Sequence, residues 1–308
     1  MVDVVAVGCV SVDDLLYVDA VPGPDGQTRI RGRDRQYGGL AATAIVAAAR
    51  LGASCRFAGL LSADPAWQDV DAEFEREGID VSWAPRDPGA GPIIATVIVS
   101  QDDGGRIILF DDSAGVGVSE NLDLRVLEDA RVLLVEGHGI PGAVRAARAA
   151  RARGVPVVAD LEHLGHPLLG ELVALSDHLV VPWDFARGWT GAATPDDALE
   201  ALWSSDRDTV VVTCGARGSH ARSRDEHAPW HQPAHAARIV DTTGCGDVFH
   251  GAYAAVLAGG ASARERVRFA SAAAALSAEG RGGRGALPER AQVQALIEAN
   301  GTAAGLAS

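Results

Sequence analysis

The chain has 308 residues, 47% of them hydrophobic and 22% charged, and a formal charge of -14. It can therefore bury the core of one large α/β domain, while an acidic chain without a basic run repels a nucleic-acid backbone and leaves a small molecule as the expected partner. All 27 basic residues are arginine; this excludes a lysine phosphate loop and Schiff-base chemistry, so a phosphate must be held by backbone N–H groups, arginine or a metal.

In chain order, "VVAVG" at 4–8 predicts a first strand, and residues 14–37 follow as a turn-rich stretch that alternates polar and apolar side chains. Such alternation predicts antiparallel strands with one wet face. A helix, "AATAIVAAARLGA", comes next; Arg50 interrupts it too early for a bilayer span, so no membrane partner is expected. Residues 92–110 repeat the alternating pattern, and with 14–37 they predict a small β-sheet lid inserted in a single domain covering 1–308. Apolar runs at 131–136, 155–160, 177–182 and 208–213 alternate with Ala-rich helical stretches. Strands of this kind lie in a mostly parallel sheet covered on both faces. Helices are predicted at 244–258, 262–278 and 288–299. Cys9, Cys55, Cys214 and Cys245 form no CxxC pair, and the first residues read as a strand rather than a signal peptide, so the expected compartment is a reducing cytoplasm.

The segment "DTTGCGDVFHG" at 241–251 follows a strand-like "ARIV" and opens a helix. Gly244 and Gly246 let the backbone approach a ligand, so the N–H groups of Gly244, Cys245 and Gly246 can converge on one anion at the positive helix end. Asp247 follows in the first turn, where the helix dipole favours an ionised carboxylate able to take a proton. Phosphoryl transfer needs little more than in-line positioning, donors for the transferring oxygens and a base for the attacking hydroxyl.

This segment resembles the C-terminal signature of the ribokinase-like (PfkB) carbohydrate kinases, DTxGAGDxF, with Cys245 in place of alanine. "GGLAATAIVAAARLGA" at 38–53 resembles the family's N-terminal signature, and the likeness runs along essentially the whole chain. It implies a three-layer α/β/α fold with a lid, and an ATP-dependent kinase acting on the primary hydroxyl of a sugar. Within the family the sequence is most similar to sulfofructose kinases, through "ELVALSDH", "HQPA", "RFASAAAAL" and "GGRGALP", and more distantly to ketohexokinases. The implied substrate is thus 6-deoxy-6-sulfofructose, attacked through its 1-hydroxyl, with fructose, ribose or a nucleoside as alternatives. The resemblance assigns sugar binding to Asp13, Gly38, Gly39, Arg106 and His138. Thr43 stands where the family usually has asparagine. Nucleotide binding falls to Thr213, Gly215 and Gly218 of "TCGARGS", with Ser271 on the adenine side. Mg2+ is implied as a cofactor and a monovalent cation can accompany it. The family's NxxE motif is missing near "VPWDFARGWTG", which leaves Asp184 as an outer-shell candidate. Gln27, Phe110 and His138 occupy places expected to grip a sulfonate, an anion that prefers charged donors, so Arg29, Arg31 or a protonated His138 would have to serve. A homodimer formed through exposed lid edges is expected.

Two other patterns compete. "GHGIPG" at 137–142 fits a dinucleotide fingerprint with Asp160 downstream, the basis for a nicotinamide-dependent oxidoreductase, although Pro141 crowds the turn. His227, His231 and His235 have helical spacing, but Pro229 and Pro233 break the helix that would bring them to one zinc ion.

Overall fold

Val4 and Ala6 of the first strand point into one apolar layer and Val5 and Val7 into another, all four without solvent exposure. That alternation is the signature of a sheet covered on both faces. The computed structural model describes residues 1–102 and 105–305; residues 103–104, inside the second lid segment, and 306–308 lie outside the described residues.

The elements are β1 (Val2–Val7), β2 (Ser11–Val18), β3 (Ile30–Gly38), α1 (Leu40–Arg50), β4 (Cys55–Phe57), β5 (Leu61–Ser62), α2 (Gln68–Arg76), β6 (Arg86–Asp87), β7 (Ile93–Ser100) and β8 (Arg106–Asp111). They continue with β9 (Ala130–Glu136), α3 (Ile140–Ala152), β10 (Val157–Asp160), α4 (Leu169–Leu175), β11 (His178–Pro182), α5 (Trp183–Thr190), α6 (Pro195–Leu202), β12 (Thr209–Thr213), β13 (Ser219–Ser223), β14 (Trp230–Gln232), α7 (Cys245–Ala258), α8 (Ala263–Ser277) and α9 (Arg290–Gly305). The main sheet has the order β14-β13-β12-β11-β10-β9-β1-β4, parallel except at β13 and β14. Helices α1, α2, α7 and α8 pack on the face of Val4, and α3 to α6 on the face of Val5, giving three layers.

The lid is a four-stranded sheet of order β3-β2-β7-β8, within the segments expected from the sequence. Its outer pairings are antiparallel, but the central β2–β7 pair is parallel, a departure from the expected all-antiparallel sheet. The reason is geometric: Ser11 lies beside Ile93, so both strands start at the body and run outward together. Leu15, Tyr17, Ala95, Val97 and Val99 form a small core on one lid face. Period-two alternation and the β7–β8 register put Asp13, Arg106, Ile108 and Phe110 on that same face. The Arg281 guanidinium stacks 4.7 Å from the Tyr17 ring, which turns this face toward the body.

Candidate active site

In the sheet order β1 lies between β4 on one side and β9 on the other, so the chain reverses its direction of winding there. Loops leaving the carboxyl ends of β1 and β9 must diverge and open a crevice, the usual ligand position in such sheets. Glu136 closes β9 at this point and is fully buried. Its Oε1 accepts from the Cys9 N–H at 2.7 Å, and its Oε2 accepts from the His138 N–H at 2.9 Å and Nδ1 at 2.7 Å. The carboxylate thereby joins the two diverging loops. Burial pushes His138 toward the neutral form, but the hydrogen bond and charge of Glu136 outweigh it and raise the imidazole pKa.

Asp13, at the foot of the lid, hydrogen bonds to Ser11 Oγ through Oδ1 at 2.7 Å. Its Oδ2 lies over Gly38 so closely that a Cβ there would come within 2.3 Å. Gly39, at φ 95°, starts α1 and would drive a Cβ into the Cys9 carbonyl oxygen at 2.6 Å. These contacts explain the diglycine: backbone, not side chain, fills the space between Asp13, the β1 loop and α1. Thr43 is buried in the first turns of α1. Arg284, which sequence reasoning left among the resemblance residues without a role, completes this side. Its Nη2 donates to the Gly38 carbonyl at 3.2 Å and its Nε to Thr43 Oγ1 at 3.3 Å. The only sequence signal was an arginine set among glycines in "GGRGALP".

The 241–247 turn is braced from below. Asp241 accepts from Thr243 N–H at 2.8 Å and Gly282 N–H at 2.9 Å, fastening the turn to the 278–285 loop. Gly244, at φ 73°, packs so tightly that a Cβ would meet Gly283 Cα at 2.7 Å. A Cβ on Gly246 would meet nothing within 4 Å, so space above the helix start is open. First-turn N–H groups of a helix have no intrahelical acceptor and face that space. Cys245 departs from the expectation: its N–H turns back to the Thr242 carbonyl at 3.3 Å, which leaves Gly246 and the next residue as the better donors. Thr242 Oγ1 accepts from Arg106 Nη1 at 2.7 Å, so the lid arginine reaches the 241–247 turn.

Asp247 stands half-buried at this helix start. The helix dipole alone argued for an ordinary ionised carboxylate, but burial and then the charge of Glu162 push its pKa well up, with Arg284 opposing. Asp13 is raised by burial against the pull of Ser11 and Arg284. Asp160, on β10 beside Glu136 in register, is also raised, first by burial and then by Glu162 and Asp247. His250 Nδ1 is 3.1 Å from Asp160 Oδ2, and its two nitrogens face the Gly246 and Val180 carbonyls at 2.8 and 2.9 Å. The site is thus a cluster of carboxylates held between Arg284, Arg106 and His138. Glu136 and Glu162 were missed as site residues, and Asp160 was read only as part of a dinucleotide fingerprint; for Glu136 the available signal was a carboxylate closing an otherwise apolar strand.

Thr213 ends β12 at the same sheet edge, and Gly215 (φ 57°) and Gly218 (φ 83°) turn the chain into β13. The turn is a tight hairpin closed by Cys214 N–H to the Gly218 carbonyl at 2.7 Å. Ser271 is 9% exposed in α8, so the adenine-side role expected for it has no support from its surroundings. Asp184 does not face the site: its side chain is 86% exposed on α5 and pairs with Arg187. The dinucleotide reading of "GHGIPG" fails because Val118 donates to the His138 carbonyl, and a Cβ on Gly139 would meet Val118 N at 2.3 Å. Backbone of 117–119 therefore fills the space a pyrophosphate would need. The histidines of 227–235 are likewise divided: His231 bonds to the Arg217 carbonyl and His235 to Asn300. Cys9, Glu136 and His138 offer ligand atoms within 4.8 Å of one another, but both Glu136 oxygens are already committed to three N–H donors.

A crevice at the carboxyl edge of the sheet, a helix start open to an anion and a carboxylate in its first turn fit a phosphotransferase acting on a hydroxyl. A profile described as pfkB family carbohydrate kinase matches residues 1–290, and the chain belongs to that family. It is 26% identical over 302 residues to a ribokinase of Haemophilus influenzae, covering 94% of this chain and 97% of the relative. A ketohexokinase of Mus musculus is 25% identical, covering 86% of this chain and 92% of the relative. The structure of Arabidopsis thaliana ribokinase complexed with ribose and ATP superposes with a TM-score of 0.81 at 25% identity, covering 96% of this chain and 98% of that one. The chain is a ribokinase-like sugar kinase that uses ATP.

Proposed function

We propose that the enzyme transfers the γ-phosphoryl group of ATP to a primary hydroxyl of an uncharged pentose or ketohexose, with Asp247 as the base. The observation that carries this reading is Asp247 at an open helix start, near enough to Asp13 and Glu136 to feel their charge. Sugar hydroxyls hydrogen bond to Asp13, to the His138 ring that Glu136 orients and to the diglycine backbone. Asp247 accepts the attacking hydroxyl's proton, and the N–H groups of Gly246 and Asp247 take the charge developing on the transferring oxygens. The raised pKa of Asp247 brings a carboxylate nearer the operating pH, where a general base is most effective. Arg106 ties the lid to Thr242, and Ile108 and Phe110 on the same lid face exclude water.

Mg2+ fits this donor set, because Asp160, Glu162 and Asp247 crowd one another with charge that a hard cation would relieve. Glu162 would meet the ion's water shell, and the ion, when bound, neutralises charge on the ATP phosphates. A monovalent cation is tested by exchanging K+ for Na+ in the assay. An acid-rich floor favours an uncharged sugar. The second reading, 6-deoxy-6-sulfofructose, draws on Arg106 and on the raised pKa of His138, which together offer positive charge to a sulfonate. Exposed Ile107 and Leu109, on the other face of the lid's edge strand β8, support a homodimer through the lids. Four free cysteines support a reducing cytoplasm; among the described residues no helix is long and apolar enough to cross a membrane.

The test measures ADP release with D-ribose, D-fructose, 6-deoxy-6-sulfofructose, fructose 6-phosphate and adenosine. Turnover highest with D-ribose or D-fructose is expected. Preference for 6-deoxy-6-sulfofructose contradicts the first reading in favour of the second, and preference for fructose 6-phosphate or adenosine, or no turnover with any of the five, contradicts both.

A further inference from the structure

Arg284 belongs neither to the helix start nor to the lid, yet it is the buried cation at their junction. Its side chain is 7% exposed, and burial lowers its pKa to about 10, so it remains charged at neutral pH. A guanidinium so enclosed needs partners for five N–H donors. Two partners are the Gly38 carbonyl and the Thr43 hydroxyl, at the two ends of the α1 start. Thr43 N–H closes the first helical turn on the Gly39 carbonyl at 2.8 Å, so the arginine spans that turn from outside. On its far side Nη1 stands 3.7 Å from Glu73 Oε1 of α2. The backbone it grips is the backbone on which the Asp13 carboxylate rests.

We propose that Arg284 is a positioning residue for sugar binding: its planar fork fixes the Gly38–Thr43 turn against α2 and so sets where Asp13 presents its free oxygen. The nucleotide side is held separately, by Asp241 and its bonds to Thr243 and Gly282. Loss of the fork therefore weakens sugar far more than ATP. Lysine keeps the charge but, as a point donor, does not span both acceptors in one plane.

The inference rests on the kinase reading, and its test includes an arm that does not. Arg284→Lys and Arg284→Gln are compared with wild type for D-ribose and D-fructose KM, ATP KM, kcat and amide hydrogen exchange. Arg284→Gln is expected to raise the sugar KM by about tenfold or more, the loss of bonds from a charged donor, with ATP KM within about twofold. Arg284→Lys is expected to keep a raised sugar KM. Exchange should quicken at residues 38–44 and stay unchanged in α7. A sugar KM within about twofold of wild type in a folded variant overturns the proposal, as does an equal rise in sugar and ATP KM. If Arg284→Gln does not fold, Arg284→Lys decides by the same criteria. If wild type phosphorylates neither sugar, the kinase reading for these sugars fails by itself; unchanged exchange at 38–44 in Arg284→Lys then overturns the positioning role, and faster exchange confined there supports it.

Discussion

The proposed phosphate side and the proposed sugar side of the crevice are built from different material. At 241–247 the chemistry lies in consecutive residues: two glycines, the free N–H groups of a helix start and one carboxylate, all braced by Asp241. On the sugar side, Asp13, Gly38, Glu136 and Arg284 come from four distant segments and meet only because β1 and β9 are neighbours and the 278–285 loop folds over α1. The local nest tolerates little change at Gly244, where backbone of Gly283 leaves no room for a Cβ. A crevice assembled from side chains can change specificity by single substitutions without disturbing phosphate binding.

Substitutions on each side should separate these behaviours. The largest effect in this set is expected from Gly244→Ala. Its Cβ would press on Gly283 Cα and force φ 73° on an alanine, so the nest shifts and kcat should fall by about 10²–10³, the usual value of one well-aimed oxyanion donor. A kcat within threefold of wild type, measured by ADP release, would show that the nest is not needed. Glu136→Gln should act on the other side. It takes from His138 the carboxylate that the ring hydrogen bonds to, and the sugar KM should rise by about 10–100-fold with ATP KM unchanged. A parallel rise in ATP KM would break the separation.

A smaller effect should appear in stability. The Asp247 pKa is raised in the folded state, so its contribution is fully present below the unfolded value near 4 and is lost as pH rises through the folded value. Asparagine cannot suffer that loss. Asp247→Asn should therefore melt higher than wild type at pH 8, by roughly 2–4 °C per kcal/mol released, and match it near pH 4. Calorimetry at the two pH values checks this, and a difference of the opposite sign would mean that the carboxylate is stabilised by its surroundings. Arg106→Ala, which removes the one 2.7 Å bond from lid to Thr242, should lower kcat by only about 2–10-fold.

The same division decides what could be read from the sequence. The parallel strands were legible because apolar runs such as "RVLLVE" have no alternation to hide, and the lid because its strands alternate. β4 was not: it is three residues long with Arg56 at its centre, and that arginine is tolerated only through Asp80, Asp129 and the Val126 carbonyl, which no local pattern reveals. Asp247 and its glycines announced themselves as one contiguous motif. Arg284 and Glu162 carried no such sign, since their roles arise from charge neighbours on other elements. The raised pKa of Asp247 was hidden for the same reason: the helix dipole is local, whereas its burial and the neighbouring carboxylate of Glu162 come from other elements.

The proposed chemistry turns on one carboxylate, at an open helix start, that removes the proton of the attacking hydroxyl. Asp247→Asn tests it most directly, with the dissociation constant of an ATP analogue measured beside the rate of sugar phosphorylation. The rate should fall by about 10²–10⁴ while nucleotide affinity stays within about threefold of wild type. A variant that phosphorylates sugar at the wild-type rate would contradict the account.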